Sequence, residues 1–306
     1  MTSVLVLAGG PDAEREVSIR SAAEVAEALS ADSTHIVHLE TIDQPSAAEL
    51  GRLPGDVVFP LLHGPWGEGG PLQDLLEMLG RPYVGCRPAA ARLAMDKFAC
   101  KLAAARHAVP TAPAVLVAPR EYRIALEPPV IIKPCHDGSS YGLHVCRDQA
   151  SLDTALQALD TERVWLAERM VAGREVTVAV LKDTDEPTGF RTLPIVEITP
   201  SEGVYDLAAK YDRADTVYTT SPTLPSDVEQ RLRSHAVAAS LAIGARHLCR
   251  VDFIIDDATD TPLMLEINTM PGFTTRSLFP QAAAAAGMDL PTLCAALVQH
   301  ARDANA

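Results

Sequence analysis

The amino-acid sequence predicts a mixed α/β and α+β fold: an open parallel α/β unit at the N-terminus, then two α+β units. Three observations carry this expectation. Strand and helix patterns alternate over roughly the first 90 residues, the mark of a parallel sheet. Short strands with few helices follow. Near the C-terminus, two strands of polar–apolar alternation flank a short polar turn. The expected units span residues 1–88, 89–173 and 174–306.

In the first unit, Val4 to Ala8 reads as a buried parallel strand that Gly9-Gly10 ends. A helix follows, with Ile19, Ala22, Ala26 and Leu29 on one face. His35 to Leu39 and Val57 to Leu62 are further strands. Ligands of open parallel sheets bind beyond the C-terminal strand ends, here Ala8-Gly9-Gly10 and Leu62-His63-Gly64. In the second unit, Arg92 to His107 reads as one amphipathic helix carrying Asp96 and Lys97. Strands follow at Val115 to Val117, Val130 to Lys133, Leu143 to Val145 and Val164 to Glu168, with a helix near Leu152 to Leu159. In the third, Glu175 to Leu181 and Pro194 to Ile198 are strands. Residues 201–224 read as a long irregular loop, functional or disordered by its length. A helix near Ser226 to Leu241 precedes the strands Leu248 to Ile255 and Leu263 to Asn268, and a helical segment closes the chain.

Composition narrows the function. The 306 residues are 47% hydrophobic and 22% charged, enough to bury a core. A net charge of -14 and a pI near 5.0 argue against nucleic acid, whose phosphate backbone needs a basic patch. A few well-placed lysines can still hold a small anion. The six cysteines, Cys86, Cys100, Cys135, Cys146, Cys249 and Cys294, form no C-x-x-C pair. Buried free thiols in a reducing compartment fit them better than a disulfide framework or a zinc site. The opening MTSVLVLAGG lacks a basic region and reads as a strand, not a signal peptide. No apolar run reaches membrane-spanning length, so the expectation is a cytoplasmic protein without a membrane partner.

Three constellations carry chemistry. The first runs from Lys133 through Pro134-Cys135-His136-Asp137-Gly138-Ser139-Ser140-Tyr141 to Gly142. Its glycines and serines let backbone N–H groups approach phosphate oxygens. Lys133 lies on an apolar strand, where an unpaired ammonium is costly, and a phosphate would answer it. A hairpin turn with an edge lysine fits equally well. The stretch also fits G-x-S-x-G, with Ser140 as the nucleophile of a serine hydrolase. That motif needs a helix directly after it, whereas Leu143 to Cys146 alternates like a strand. No G-x-x-x-x-G-K-[ST] pattern occurs, which disfavours a P-loop enzyme.

The second constellation is Cys249-Arg250-Val251-Asp252-Phe253 with Leu265-Glu266-Ile267-Asn268. Period 2 puts Arg250 and Asp252 on one face, and Glu266 and Asn268 on one face. A hairpin symmetric about Thr259 sets Asp252 opposite Glu266 and Arg250 opposite Asn268. Two carboxylates and an amide oxygen suit Mg²⁺ held jointly with substrate phosphates. The plainer alternative, a solvated hairpin face, is weakened by Asn268, which disfavours strands. The third is Gly9-Gly10-Pro11-Asp12-Ala13-Glu14-Arg15-Glu16, between a strand and a helix. Its acidic residues suit the helix dipole, and from spacing alone that outweighs the other reading, Glu14 as the holder of an ammonium.

Taken in order, these segments resemble the ATP-grasp superfamily and, within it, the D-alanine–D-alanine ligase family. The resemblance rests on Ala13 to Ser18, Leu62-His63-Gly64, Met95-Asp96-Lys97, Lys133 to Gly142, Ala209-Lys210-Tyr211, Cys249 to Phe253, and Glu266 to Gly272 through Ser277-Leu278. It covers nearly the whole chain, with seven segments in the family's order. It implies an ATP-grasp fold whose two α+β units sandwich ATP, and a ligase for peptidoglycan precursors. It also implies roles. Lys97, Lys133 and Lys210 would hold ATP phosphates, with Ser139 and Ser140 in the flap. Glu168, Arg169, Met170 and Glu175 would line the adenosine pocket. Asp252, Glu266 and Asn268 would bind two Mg²⁺ or Mn²⁺ ions. Glu14, supported by His63, would take the ammonium of the first D-alanine. Glu14, Ser139 and Tyr211 would form a triad that closes the lid. Arg250 and the Gly272 N–H would stabilise the oxyanion, and Ser277 with Leu278 would receive the second carboxylate. The implied partners are D-alanine, ATP and a second copy in a homodimer. Met170, Tyr141 and Arg276 depart from the family's usual residues. D-lactate or D-serine as second substrate is the alternative, although Tyr211 resembles the dipeptide-forming members.

Overall fold

β-Branched and leucine-rich runs form three separate sheets. The computed structural model describes residues 1–31, 33–118, 123–138, 142–200 and 216–303. In chain order, the first elements are β1 (Thr2–Gly9), α1 (Arg15–Ser30), β2 (His35–Ile42), α2 (Ala47–Leu50), β3 (Val57–Pro60), α3 (Gly64–Gly67) and α4 (Pro71–Met78). Next come α5 (Pro88–Met95), α6 (Lys97–Arg106), β4 (Ala114–Val117), β5 (Val130–Pro134), β6 (His144–Cys146), α7 (Gln149–Ala158) and β7 (Trp165–Arg169). The remainder are β8 (Gly173–Lys182), β9 (Phe190–Thr192), β10 (Val196–Thr199), β11 (Val217–Thr220), α8 (Ser226–Ile243), β12 (Leu248–Asp256), β13 (Pro262–Asn268), α9 (Leu278–Ala285) and α10 (Leu290–Asp303).

The first sheet is parallel, in the order β2-β1-β3. β1 is apolar throughout because both of its faces are covered. Val4, Val6 and Ala8 pack on α1 and on the closing helices α9 and α10. Leu5 and Leu7 pack on the other side with Leu72, Leu76 and Tyr83. The buried face of α1 is rotated from the expected one. Ser18, Ser21, Ala22, Val25 and Leu29 are buried, while Ile19 and Ala26 are half-buried at its margin. Two serines enter that face because each has a backbone partner: the Ser18 hydroxyl donates to Leu61 O (2.6 Å), and Ser21 Oγ accepts from Phe273 N (3.2 Å).

The second sheet, β4-β7-β5-β6, is antiparallel, and α7 covers one face. The third runs β11-β10-β8-β12-β13, with β9 also paired to β8. Its Val176, Val178, Val251 and Phe253 face a core completed by α8, α5 and α6. By period 2, Glu175, Thr177, Arg250 and Asp252 fall on the opposite face, which looks toward the second sheet.

Three expectations need correction. Arg92 to His107 is not one helix. The chain breaks at Asp96, whose ψ of 97° is extended and whose Oδ1 caps α6 by accepting from Ala99 N (2.9 Å). A short side chain that can bond nearby N–H groups favours a cap over a helix interior. The stretch 201–224 is not loop throughout: Val217–Thr220 forms β11, while 201–215 lie outside the described residues. β9 is a short strand the sequence reading missed. No single helix among the described residues is long and apolar enough to cross a membrane; α9 and α10 pass that test only as a pair, bent by 104°.

Candidate active site

A cavity of ≈ 430 Å³ lies between the second and third sheets. Sheet two contributes Ile131, Lys133 and Glu168; sheet three contributes Glu175, Glu197, Asp252, Ile254 and Glu266. Lys97, Arg169 and Met170 complete much of the wall. Fold and sequence pattern thus bring Lys97, Lys133, Glu168, Arg169, Met170, Glu175, Asp252 and Glu266 to one space. Ser139, Ser140, Lys210 and Tyr211, expected to join them, lie outside the described residues. β5 and β6 pair antiparallel on either side of the Ser139–Tyr141 stretch. A strand, β6, follows in place of the helix that the nucleophile elbow of a serine hydrolase requires.

The hairpin register is the one its alternation predicts. Arg250 pairs with Asn268, and Asp252 pairs with Glu266. Beyond them the register slips by one residue between Asp252 and Phe253. This leaves Leu265 as the extra residue of a bulge, and both Leu265 and Glu266 line the cavity. Bulges beside active sites commonly re-aim a side chain in this way. Asp252 is 5% exposed. It accepts two hydrogen bonds from Arg250 (2.9 and 2.8 Å), one from the Thr177 hydroxyl (2.6 Å) and one from Asn268 Nδ2 (3.0 Å). Glu266 Oε2 lies 3.7 Å from Lys97 Nζ. Two carboxylates and an amide, free of sulfur and imidazole, fit a hard divalent cation. An amide that donates through nitrogen keeps its oxygen for such an ion.

Behind the cavity wall sits a charge cluster that was only half legible. Lys133 Nζ is 2.8 Å from Glu168 Oε2, and Lys101 Nζ donates to Glu168 Oε1 and to Met264 O (3.1 Å). Burial pushes the Glu168 carboxyl up, but the two ammoniums outweigh it and hold it below the usual range. Burial pulls Lys133 down, yet Glu168 and Glu266 outweigh that and raise it. Lys101, wholly buried, is lowered, since burial exceeds the pull of Glu168. One carboxylate thus serves two ammoniums, and Glu266 adds to the charge that holds Lys133. Lys101 escaped the sequence reading because it lies in a helix whose pattern, Lys97-Phe98-Ala99-Cys100-Lys101, reads as ordinary amphipathic helix. Its i, i+4 spacing from Lys97 was the available signal.

The remaining candidates gather where the first sheet meets the third. The Glu14 carboxylate reaches the flap: a Cβ on Gly138 would lie 2.8 Å from its Oε2. His63 is buried, and its Nε2 has no hydrogen-bond partner among the described residues. Burial lowers its pKa, with Glu14 opposing, so it stays a neutral imidazole. Gly64 next to it has φ +77°, and a Cβ there would strike the Asp12 side chain at 2.5 Å, so the turn demands glycine. Gly272 approaches Ser277, whose Oγ accepts from Thr274 N (3.2 Å). Ser277 precedes α9, so the Leu278 N–H belongs to the helix's positive end, while its side chain is buried in the core. Arg276 is exposed.

Glu68 was missed altogether. Its carboxylate accepts from Gly64 N (3.3 Å) and Met270 N (3.2 Å), and Oε1 lies 3.9 Å from His63 Nδ1. It joins the two loops that carry His63 and Gly272. Burial, then the charge of Glu14, pushes its carboxyl up to about 8. The signal was a lone acid in the glycine-rich run Gly64 to Gly70. Between its ordinary 4.5 and about 8, the folded protein holds a proton the unfolded chain releases. Its contribution to folded stability should therefore fall as pH rises through that window, by on the order of 1 kcal/mol per pH unit. The lowered histidines act with the opposite sign below 6.5, so the measure is a difference: melting temperatures should fall more steeply, or rise less, with pH in the wild type than in Glu68→Gln, and equal slopes would remove Glu68 as the cause.

Comparison with known proteins decides the kinship. The family described as D-ala D-ala ligase C-terminus matches residues 111–299, and that described as D-ala D-ala ligase N-terminus matches 40–86. The chain belongs to the D-ala D-ala ligase family. A D-alanine–D-alanine ligase of Acidiphilium cryptum is 38% identical over 310 residues, covering 98% of this chain and 99% of that protein. One from Bordetella pertussis is 40% identical over 302 residues, covering 97% and 94%. The solved structure of the Bacillus anthracis D-alanine–D-alanine ligase superposes with a TM-score of 0.85 at 26% identity, covering 100% of this chain and 99% of that one. The three-sheet architecture of this chain is therefore that of the ligase family, and its fold is the ATP-grasp fold.

Proposed function

We propose that the protein is an ATP-dependent carboxylate–amine ligase that joins two D-alanines through an acyl phosphate. One observation carries the reading most: the Asp252–Glu266 face and the lysines Lys97 and Lys133 line a single cavity between two sheets. Phosphoryl transfer asks for that combination, because catalysis there is mostly positioning and charge neutralisation.

In this reading, ATP lies between the two sheets, with its adenosine toward Glu168, Arg169, Met170 and Glu175. Lys97 and Lys133 hold its phosphates. Asp252, Glu266 and Asn268 hold the divalent cations, which when bound neutralise charge on the transferring phosphate. Glu14 takes the ammonium of the first D-alanine beside neutral His63. Its carboxylate attacks the γ-phosphorus, giving D-alanyl phosphate and ADP. The amine of the second D-alanine then attacks the acyl carbon, and phosphate leaves. Arg250 and the Gly272 N–H are assigned to the oxyanion of the tetrahedral intermediate. Ser277 and the start of α9 receive the second carboxylate. Ser139, Lys210 and Tyr211 complete a closed lid, because an acyl phosphate hydrolyses in open water. That Arg276 is exposed supports D-alanine over a hydroxy acid as second substrate in this reading.

The test is a competition between equal D-alanine and D-lactate with ATP and Mg²⁺ at neutral pH, read by mass spectrometry. D-alanyl-D-alanine should dominate, with one ADP formed per dipeptide. Dominant D-alanyl-D-lactate would overturn the second-substrate assignment, and products formed without ATP would overturn the ligase itself.

A further inference from the structure

Scattered cysteines without a C-x-x-C pair gave no reason to expect a metal site that uses sulfur. Folding changes this for Cys135. It and His136 follow β5 and come against the break between α5 and α6. There the Cys135 thiol donates to Asp96 Oδ1 at 3.2 Å, and His136 Nε2 lies 3.4 Å from Asp96 Oδ2. The ligand atoms of the three side chains lie within 4.8 Å of one another, and no other triple of His, Cys, Asp or Glu among the described residues is as tight.

We propose that Asp96, Cys135 and His136 bind a borderline-soft divalent cation, Zn²⁺ by its chemistry, and that this ion locks the start of α6 to the residues that follow β5 and slows turnover. The spacing suits the ion. Zinc bonds of about 2.0–2.3 Å at tetrahedral angles set neighbouring ligand atoms about 3.4–3.6 Å apart. His136 Nε2 already lies 3.4 Å from Asp96 Oδ2, and Cys135 Sγ, now 3.2 Å from Oδ1, turns toward Oδ2 to complete a set whose members lie within 4.8 Å of one another. Thiolate and imidazole select zinc over magnesium, which prefers the all-oxygen face at Asp252 and Glu266. The two sites therefore sort two metals by ligand softness. Asp96 Oδ1 can keep capping α6 at Ala99 while Oδ2 binds the ion. On binding, the Cys135 S–H bond breaks, a sulfur–metal bond forms and the proton leaves to water. His136 and Asp96 are 46% and 34% exposed at their side chains, so the ion can enter from their side.

The coupling to the cavity is short. Lys97, next to Asp96, donates its backbone N–H to Cys135 O (3.0 Å) and its ammonium to Asp137 O. A metal at Asp96, Cys135 and His136 replaces the thiol hydrogen bond and the imidazole contact across this junction with stronger bonds. Lys97 and Asp137 line the cavity beside it, so an ion held there limits how far they can follow the substrate through a turnover.

The experiment uses the full chain with excess Mg²⁺ to fill the oxygen site, and Co²⁺ as a spectroscopic probe. One equivalent of Co²⁺ should give the sulfur-to-metal charge-transfer band and the strong visible bands of tetrahedral cobalt. Both should vanish in Cys135→Ser and weaken in His136→Asn, an exposed position where the fold is not at stake. Absence of the band, or the same band in Cys135→Ser, overturns the site. This arm does not depend on which reaction the protein catalyses. In the second arm, added Zn²⁺ should reduce ADP release by the wild type, a chelator should restore it, and Cys135→Ser should need about tenfold more Zn²⁺ or more for the same loss. Equal zinc sensitivity of the two proteins overturns the coupling.

Discussion

Glu266→Gln should lower ADP release from ATP and D-alanine by roughly a hundredfold or more, because a neutral amide holds a hard divalent cation far less well than a carboxylate. The site leaves little redundancy. Asp252 is already engaged by Arg250, Thr177 and Asn268, so it cannot take over a second carboxylate's share. Glu266 also faces Lys97 at 3.7 Å, and its loss frees that ammonium to pull on other acids. A loss of activity alone would not separate the two effects. The Mg²⁺ dependence does: if Glu266 is a metal ligand, raising Mg²⁺ should recover part of the rate, and the half-saturating Mg²⁺ should rise. Near-normal ADP release at low Mg²⁺ would sink the metal assignment. The fold should survive, since the side chain is 22% exposed and lies on the cavity side of the sheet.

Glu168→Gln should cost about 3–5 kcal/mol of folding stability, the usual penalty for removing one partner from buried ions. Glu168 and Lys101 are each 4% exposed and Lys133 is 14% exposed. With the carboxylate gone, the two buried ammoniums lose the partner they share, and only Lys133 still feels other acids, Glu266 and Glu175. The denaturant midpoint should fall while the slope of the transition stays unchanged. Lys101→Met is the instructive companion. It leaves Glu168 paired with Lys133, so its own cost should be smaller. Combined with Glu168→Gln, it should recover part of the loss, because only one unpaired ammonium remains. Strict additivity of the two changes would show that the three groups do not act as a unit.

The sequence disclosed the strands and their order better than what the strands carry. The apolar runs at Val4 to Ala8, Glu175 to Leu181 and Leu248 to Ile255 have strong period or strong burial, and each is a strand in the structure. The hairpin register was readable because period 2 leaves few ways to put Asp252 and Glu266 on one face. The bulge was not, since an extra residue at Leu265 changes no local propensity. The break at Asp96 was hidden inside an uninterrupted helical pattern, where only the capping preference of aspartate hints at it. Glu68 and Lys101 were missed for a common reason. Their importance comes from what tertiary packing brings near them, Met270 in one case and Glu168 in the other, each more than 60 residues away. Glu14, by contrast, was nameable only through its motif; nothing in its spacing separates an ammonium receptor from a helix-dipole acid.

The N-terminal core has a consequence for the order in which the protein is made. Val4, Val6 and Val25 are completed by Leu293, Leu297, Val298 and Ala301 of α10, and Arg302 donates to the Thr2 hydroxyl (2.9 Å). The first strand therefore meets its last partner only after some 290 further residues have been added. At ribosomal speeds of roughly 5–20 residues per second, that wait is roughly 15–60 s. During it, α1 alone covers that side of the parallel sheet, so this half of the molecule completes its core only once α10 has been made.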